Sequence, residues 1–110
     1  MSWDLFIQDW GDHKTLNEIP EEFQPQSIGK RSDLIEKIKS IEPTTDFSDP
    51  SWGNLENENF SIEFNMGHEE QCMGFAMHVR GKENALRCIR NLLTKLNLKA
   101  TDGSGFVFLE

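Results

Sequence analysis

Residues 59–80 read NFSIEFNMGHEEQCMGFAMHVR, and this stretch decides the fold. Apolar residues alternate with other residues in two successive runs, a pattern typical of strands that bury one face. The alternating apolar positions are Phe60, Ile62, Phe64 and Met66 in the first run, and Met73, Phe75, Met77 and Val79 in the second. Because a short turn at residues 67–70 with a glycine at its start separates the runs, they predict an antiparallel hairpin.

A helix is predicted on each side of this hairpin. Before it, Ser32 and Asp33 are suited to a helix start, apolar residues follow at helical spacing, and Pro43 ends the pattern. After it, residues 82–97 repeat apolar side chains at intervals of three and four, and Asn97 is a suitable C-terminal cap. Both helices are therefore expected to bury one face and expose the other.

Strands are predicted at both ends of the chain. Residues 2–10 alternate, and short strands are expected at residues 98–101 and 106–109. The order strand, helix, strand, strand, helix, strand predicts one α+β domain over residues 1–110, a ferredoxin-like split βαβ sandwich. Its four-stranded antiparallel sheet would carry two helices on one face, and an extra C-terminal strand would extend the sheet or pair with the fourth strand. This fold hosts unrelated activities, so it indicates none.

The charge is strongly negative and unevenly distributed. Eleven Lys and Arg stand against nineteen Asp and Glu, giving −8 over 110 residues. Residues 1–70 hold 16 acidic and 5 basic side chains, whereas residues 71–110 hold 3 acidic and 6 basic ones. Nucleic acid is not expected as a partner, because phosphate binding depends on an excess of Lys and Arg. An acidic surface favours solubility, and it also steers basic partners.

A cytoplasmic location is expected, with no membrane partner. No segment approaches the roughly 18 apolar residues of a membrane helix. The first residues, MSWDLFIQDWGD, lack the basic start of a signal peptide and carry two aspartates. Cys72 and Cys88 are too few for a disulfide framework, so two reduced thiols are expected, with a single disulfide as the alternative.

The sheet face away from the helices is the candidate site. Alternation places varied side chains there, and residues 43–58, interpreted as a long connection with large aromatics, are expected to fold over it. The predicted cleft has Trp52, Phe47 and Trp10 as walls and His78, Arg80 and Glu63 as floor, since pockets combine apolar walls with a few polar groups. The candidate ligand- or partner-binding residues are Trp10, Asp49, Trp52, Glu63, His78 and Arg80.

Structural roles for the same residues stay open as alternatives. Arg80 would then pair with Glu63 or Asp49, and His78 would be a hydrogen-bonded structural histidine. No nucleophile–base pair can be named, so no catalytic residue is assigned and an enzyme is not favoured. The run from His68 to Cys72 contains metal-ligating residue types, but its spacing does not match a paired-cysteine zinc site. No metal and no cofactor are expected.

Two functions from different classes fit these features. The first is a non-enzymatic binding module whose acidic loop and open sheet face engage a basic protein partner; a toxin-neutralising immunity protein is one such case. The alternative is a protein or enzyme that binds a small anionic molecule through His78 and Arg80. Arginine suits this role because it binds anions with two parallel hydrogen bonds. A monomer or a weak homodimer is expected.

Several short motifs carry a resemblance to a known family. Residues 46–53 read DFSDPSWG, residues 62–64 read IEF and residues 75–81 read FAMHVRG, followed by a helix. In these motifs the chain resembles a family of small acidic bacterial proteins of unknown function, over nearly its whole length. The resemblance implies a bacterial cytosolic origin and supplies no catalytic residues. It runs through Asp49, Trp52, Gly53, His78, Arg80 and Gly81.

Overall fold

The structure, a computed structural model, describes residues 3–9, 27–102 and 105–107. Two helices and nine strands lie in these ranges. In chain order they are β1 Trp3–Gln8, β2 Gly29–Lys30, α1 Arg31–Ile41, β3 Asp46–Asp49, β4 Trp52–Glu56, β5 Ser61–Asn65, β6 Gln71–Cys72, β7 Phe75–Arg80, α2 Lys82–Leu96, β8 Lys99–Asp102 and β9 Gly105–Val107.

Seven of the nine described strands form one antiparallel sheet. Its seven strands lie in the order β3-β4-β5-β7-β1-β8-β9, and every neighbouring pair is antiparallel. The prediction of an α+β protein with two helices and an antiparallel sheet is confirmed. The sheet has seven strands rather than four, because a hairpin of β3 and β4 extends one edge. The extra C-terminal strand is present as β9 at the other edge.

The segment interpreted as a long connection, residues 43–58, contains that hairpin. Within β4, Gly53 and Leu55 are buried while the residues between and beside them face outward, which is the period of two that a strand requires. The turn formers at positions 49–51 make the tight reversal between β3 and β4. The carboxylate of Asp49 accepts hydrogen bonds from the backbone N–H (2.9 Å) and the hydroxyl (2.7 Å) of Ser51.

Both helices pack on the same face of the sheet. Their buried residues join the inward-facing strand residues in one core. The helices contribute Leu34, Ile38, Ala85, Ile89, Leu92 and Leu93, and the strands contribute Leu5, Ile7, Leu55, Ile62, Phe64, Phe75, Met77, Val79 and Ala100. Asn97 ends α2 in the left-handed conformation with φ 56°, as predicted. Neither helix is long and apolar enough to cross a membrane in the described part of the chain.

The start of α1 differs from the prediction. The helix begins at Arg31, and Lys30 occupies the cap position without a side-chain hydrogen bond. The Ser32 hydroxyl donates instead to the carboxylate of Glu70 at 2.9 Å. The Arg31 guanidinium donates to the carbonyl of Gly67 at 2.7 Å. These two bonds fix the helix start to the connection between β5 and β7.

That connection is longer than the predicted turn at 67–70. β7 begins at Phe75, and β6 pairs with β2 in a separate two-stranded ribbon. Met73, predicted to face the core, lies before the strand and is 53% exposed. The prediction was wrong because alternation alone does not show where pairing with the neighbouring strand begins. β5 and β7 themselves pair as expected, with Ile62 opposite Val79 and Phe64 opposite Met77.

Both cysteines are free thiols, as the sequence predicts. The pKa of Cys88 is raised to about 12, mainly by burial and secondly by the neighbouring Glu42 carboxylate. Burial also raises the pKa of Cys72. A thiol with a pKa of about 12 is ionised to about one part in ten thousand at pH 8, and the thiolate is the reactive form. We expect iodoacetamide to modify both cysteines slowly at pH 8 in the folded protein and quickly after unfolding in urea, followed by mass spectrometry. Fast modification of either thiol in the folded protein would contradict this burial.

Candidate functional site

The sheet face turned away from the helices is called the open face. Directly opposed residues in neighbouring strands project to the same side of a sheet, so the pairing register defines this face. Its residues are Asp4, Phe6, Gln8, Asp46, Asp49, Trp52, Asn54, Glu56, Ser61, Glu63, Asn65, Ala76, His78, Arg80, Lys99 and Thr101. The prediction that Glu63, His78 and Arg80 share this face is confirmed.

One line of opposed residues crosses five strands of the open face and is called the acidic row. In order across the sheet it consists of Asp46, Asn54, Glu63, His78 and Asp4. Three of its five members are carboxylates, and the single imidazole lies between two of them. Glu63 and His78 are half-buried, whereas Asp4 is exposed. The row therefore presents negative charge near the middle of the sheet.

His78 is held from two sides. Its Nδ1 lies 2.8 Å from Oδ1 of Asp4 on β1. The Trp52 ring stacks on the imidazole with 5.7 Å between ring centroids and 19° between the ring planes. Trp52 starts on β4 and reaches β7, so its ring crosses over β5. These contacts fix the rotamers of His78 and Trp52 and support the structural interpretation of His78.

Arg80 does not form the ion pair considered from the sequence. Among the residues that the structure describes, no carboxylate lies within salt-bridge distance of the guanidinium, and the residue is exposed. Its opposite neighbour on β5 is Ser61, while Glu63 faces His78. Arg80 is therefore available on the open face, one two-residue step along β7 from the acidic row.

Asp49 has a local structural role. The hydrogen bonds from the Ser51 hydroxyl and then from the Ser51 backbone N–H hold the pKa of this exposed carboxyl below its ordinary value. On β3, Asp46 behaves in the same way, because the Ser48 hydroxyl and backbone N–H lower its pKa. Both aspartates are thus ionised over a wide pH range and add negative charge to the sheet edge.

The predicted aromatic cleft is not formed as described. Phe47 lies on the helix side, where its ring contacts the core and lies 5.9 Å from the Phe64 ring, centroid to centroid. The ring also covers Gly53 so closely that a Cβ atom there would lie 2.4 Å from it. Phe47 and Trp52 therefore lie on opposite faces of the sheet, because a β-bulge in β3 shifts its register against β4. Trp10 lies outside the described residues.

An apolar concavity, called the groove, lies beside the acidic row on the open face. It has a volume of about 340 Å³. The residues that line it are Phe6, Gln8, Asn65, Met66, Gly67, Met73, Gly74, Phe75 and Ala76. Phe6 and Met73 are 59% and 53% exposed, respectively. The lining contains neither His78 nor Arg80, so this groove offers an apolar surface and no cationic side chain.

Within the described ranges, the open face and the two helices carry charge of opposite sign. Five acidic and two basic side chains lie on the open face in the described ranges. The helices on the other side carry three acidic and seven basic side chains. The acidic open-face residues are Asp4, Asp46, Asp49, Glu56 and Glu63, and the basic helix residues are Arg31, Lys37, Lys39, Lys82, Arg87, Arg90 and Lys95. The helix side also holds carboxylates outside the helix bounds, since Glu42 contacts Cys88 on α2 and Glu70 contacts Ser32 on α1.

Sequence reasoning missed Asp4 as a member of this site. Strand alternation puts Asp4 on the same face as Phe6, and the pairing of β1 with β7 places it opposite His78. That pairing follows from the predicted strand order, so the signal was present. The groove follows in part from the small residues Gly74 and Ala76, which leave space above the strand, but its exposed Met73 was assigned to the core.

The Asp4–His78 pair resembles one part of a known catalytic arrangement. An Asp–His pair is part of the general-base arrangement of serine hydrolases, but it requires a nucleophile on the other imidazole nitrogen. In the described ranges the contacts of His78 are the Asp4 carboxylate and the Trp52 ring. No group of three or more His, Cys, Asp or Glu suited to holding a metal occurs in this part of the chain.

Comparison with known proteins gives no relative. Neither a family model nor a curated protein nor a solved structure matches the chain.

Proposed function

We propose that this chain is a non-enzymatic binding module that engages a basic protein partner through its open face. The opposite charges of the open face and the helix layer carry the proposal. A partner with excess Lys and Arg is attracted to the open face and repelled by the helices, so the charge selects the docking face as well as the partner. Such complementarity raises association rates and suppresses wrong orientations.

The centre of the open face supports this proposal. Trp52 is half-buried and its ring is fixed by stacking on His78, so docking on it would cost little side-chain entropy. Tryptophan is enriched among the residues that dominate binding energies. The neighbouring Glu63 carboxylate is half-buried and has no ion-pair partner among the described residues. A partner Lys or Arg can therefore contact both the ring face and a carboxylate.

The finer assignments are part of the same proposal. The chain would be a bacterial cytoplasmic protein, in keeping with the motif resemblance, and inhibition of a basic toxin by an immunity-like protein is one form of this binding. The middle strands β5-β7-β1-β8 would form a ferredoxin-like core to which the outer strands are additions. A monomer is favoured, because two open faces of like charge repel each other.

The anionic-ligand alternative has less support. Trp52 lies on His78, and the groove beside it has no cationic lining. An anion at Arg80 would also lie near the acidic row. The binding-module proposal uses these carboxylates, whereas the alternative must overcome them.

Capture from a cell extract at two ionic strengths tests the proposed function. At about 0.1 M the Debye length is about 10 Å, and at about 1 M it is about 3 Å, so attraction between exposed charges is lost at the higher value. We expect the immobilised protein to retain a protein of high isoelectric point at the lower ionic strength and to release it at the higher. Retention of nothing at the lower ionic strength, or only of acidic proteins, would contradict the proposal.

A further inference from the structure

The groove has room for an apolar side chain, and most of its lining is apolar or small. Its floor includes Gly74 and Ala76, which are small, and its walls include the exposed side chains of Phe6 and Met73. A Cβ at Gly74 would lie 2.7 Å from the Ile7 carbonyl oxygen, so this part of the floor is already in contact with the backbone of β1. Two exposed large apolar residues around one concavity form a patch of the kind that marks interaction sites.

On three neighbouring strands, the groove and the acidic row are separated by two residues along the strand. Asn65 and Glu63 are two residues apart on β5, Ala76 and His78 on β7, and Phe6 and Asp4 on β1. Two residues along a strand span about 7 Å. The apolar groove and the acidic row therefore run side by side, about 7 Å apart.

We infer that the open face recognises an extended segment of its basic partner in which an apolar residue is followed or preceded, two positions away, by Lys or Arg. In an extended chain, side chains two residues apart project to one side about 7 Å apart. The apolar side chain fills the groove while the cation meets the acidic row and the face of Trp52. This rests on the proposed function and adds to it the pattern that the partner presents.

The charge pattern selects this occupant over a second copy of the chain. The groove lies beside the acidic row, and the amide side chains of Gln8 and Asn65 are part of its lining, so its surroundings offer hydrogen bonds and negative charge. A second open face would bring carboxylates against carboxylates, which costs binding energy. A wholly apolar ligand would leave the neighbouring Glu63 unpaired. A segment that is apolar and basic at the right spacing satisfies both surfaces.

Synthetic peptides in one neutral host test the spacing directly. The test peptide is Gly-Thr-Leu-Thr-Arg-Thr-Gly with blocked ends, and the control, Gly-Thr-Leu-Arg-Thr-Thr-Gly, has the same composition with leucine and arginine adjacent. Two further peptides replace leucine by serine or arginine by glutamine. Titrations followed by backbone amide chemical shifts give both the affinity and the location. We expect the test peptide to bind about fivefold or more tightly than each of the other three. The shifts should centre on Glu63, Ala76 and His78.

A matched pair of variants ties the effect to the groove. Ala76→Leu fills the groove from its floor on the open side, and Ser61→Leu adds the same side chain to the same face two steps away, beside Arg80. We expect Ala76→Leu to weaken the test peptide about tenfold and Ser61→Leu to leave it within about twofold. Circular dichroism and the amide spectrum verify that both variants fold.

The outcomes separate this inference from the proposed function. If peptides with arginine bind equally with leucine or serine and are released by salt, the basic-partner proposal stands and the groove inference is overturned. Equal affinity for the adjacent control peptide, unchanged binding by the Ala76→Leu variant, or no detectable binding of the test peptide would each overturn the inference as well.

Discussion

Phe64→Ala is expected to lower the free energy of unfolding by about 3–5 kcal/mol, the range observed when a buried phenylalanine is truncated. Phe64 has no exposed surface and lies at the centre of the helix-covered face. Its ring lies 5.9 Å from the Phe47 ring and 6.4 Å from the Phe75 ring, centroid to centroid. Removal of the ring therefore leaves a cavity that joins β3, β5 and β7. Because domains are stable by about 5–15 kcal/mol, urea titration would detect a large shift of the midpoint.

Phe6→Ala is the matched control for this substitution. It removes the same atoms from the open face, where Phe6 is 59% exposed, and it is expected to change stability by about 0.5 kcal/mol or less. The pair tests which face of the sheet is buried. A large loss for Phe6→Ala together with a small loss for Phe64→Ala would contradict the assignment of faces.

Gly81→Ala is expected to destabilise the protein by roughly 2–4 kcal/mol, because two costs combine at this position. Gly81 caps the start of α2 in the left-handed region with φ 77°. A Cβ there would lie 2.6 Å from the carbonyl oxygen of Asn59 and 3.1 Å from Cα of Phe60. The backbone before β5 would have to move to accept it. Thermal or urea unfolding measures the loss.

Gly67→Ala separates the two costs. Gly67 has φ 73°, but a Cβ there has no atom within 4 Å. It is expected to lose only the roughly 1–2 kcal/mol of the left-handed conformation. Equal losses for the two variants would show that the close approach of Gly81 to Asn59 is not a constraint on the fold.

The sequence predicts the elements that have a clear period and a clear end. The alternation around Ile62 and Phe64 identified β5, and the helical spacing up to Asn97 identified α2, because burial of one face imposes each pattern. It failed at residues 43–58. There the turn formers around Pro50 were interpreted as a connection, whereas they form the tight reversal of a hairpin whose strands are only four and five residues long.

The candidate site was predicted only in part, because alternation within a strand does not show which strands are neighbours. Alternation assigns Glu63, His78 and Arg80 to one face without knowledge of which strands are neighbours. Whether two side chains meet depends on pairing between distant strands, which brings Asp4 to His78 across 74 positions of sequence. Likewise, Phe47 was placed beside Trp52 because they are near in sequence. A β-bulge shifts the register of β3 against β4 and puts the two side chains on opposite faces, so Phe47 contacts Gly53 instead.

The structure shows where in the molecule the charged residues of the described ranges lie, which the sequence alone does not. Five of the 16 acidic residues in the first 70 positions lie on the open face, and four of the six basic residues in the remainder lie on α2. A net charge of −8 by itself is consistent with a merely soluble protein. An acidic open face and basic helices give the molecule a preferred orientation toward a charged partner.

The most direct test of a basic partner on the open face compares two double charge reversals. Glu56→Lys with Glu63→Lys reverses charge on the open face, and Glu36→Lys with Glu83→Lys reverses it on the helices; either pair changes the net charge from −8 to −4. With the partner captured at low ionic strength, the dissociation constant is expected to rise about tenfold or more for the open-face pair and to stay within about threefold for the helix pair. Equal weakening by both pairs, or greater weakening by the helix pair, would contradict the proposed docking face.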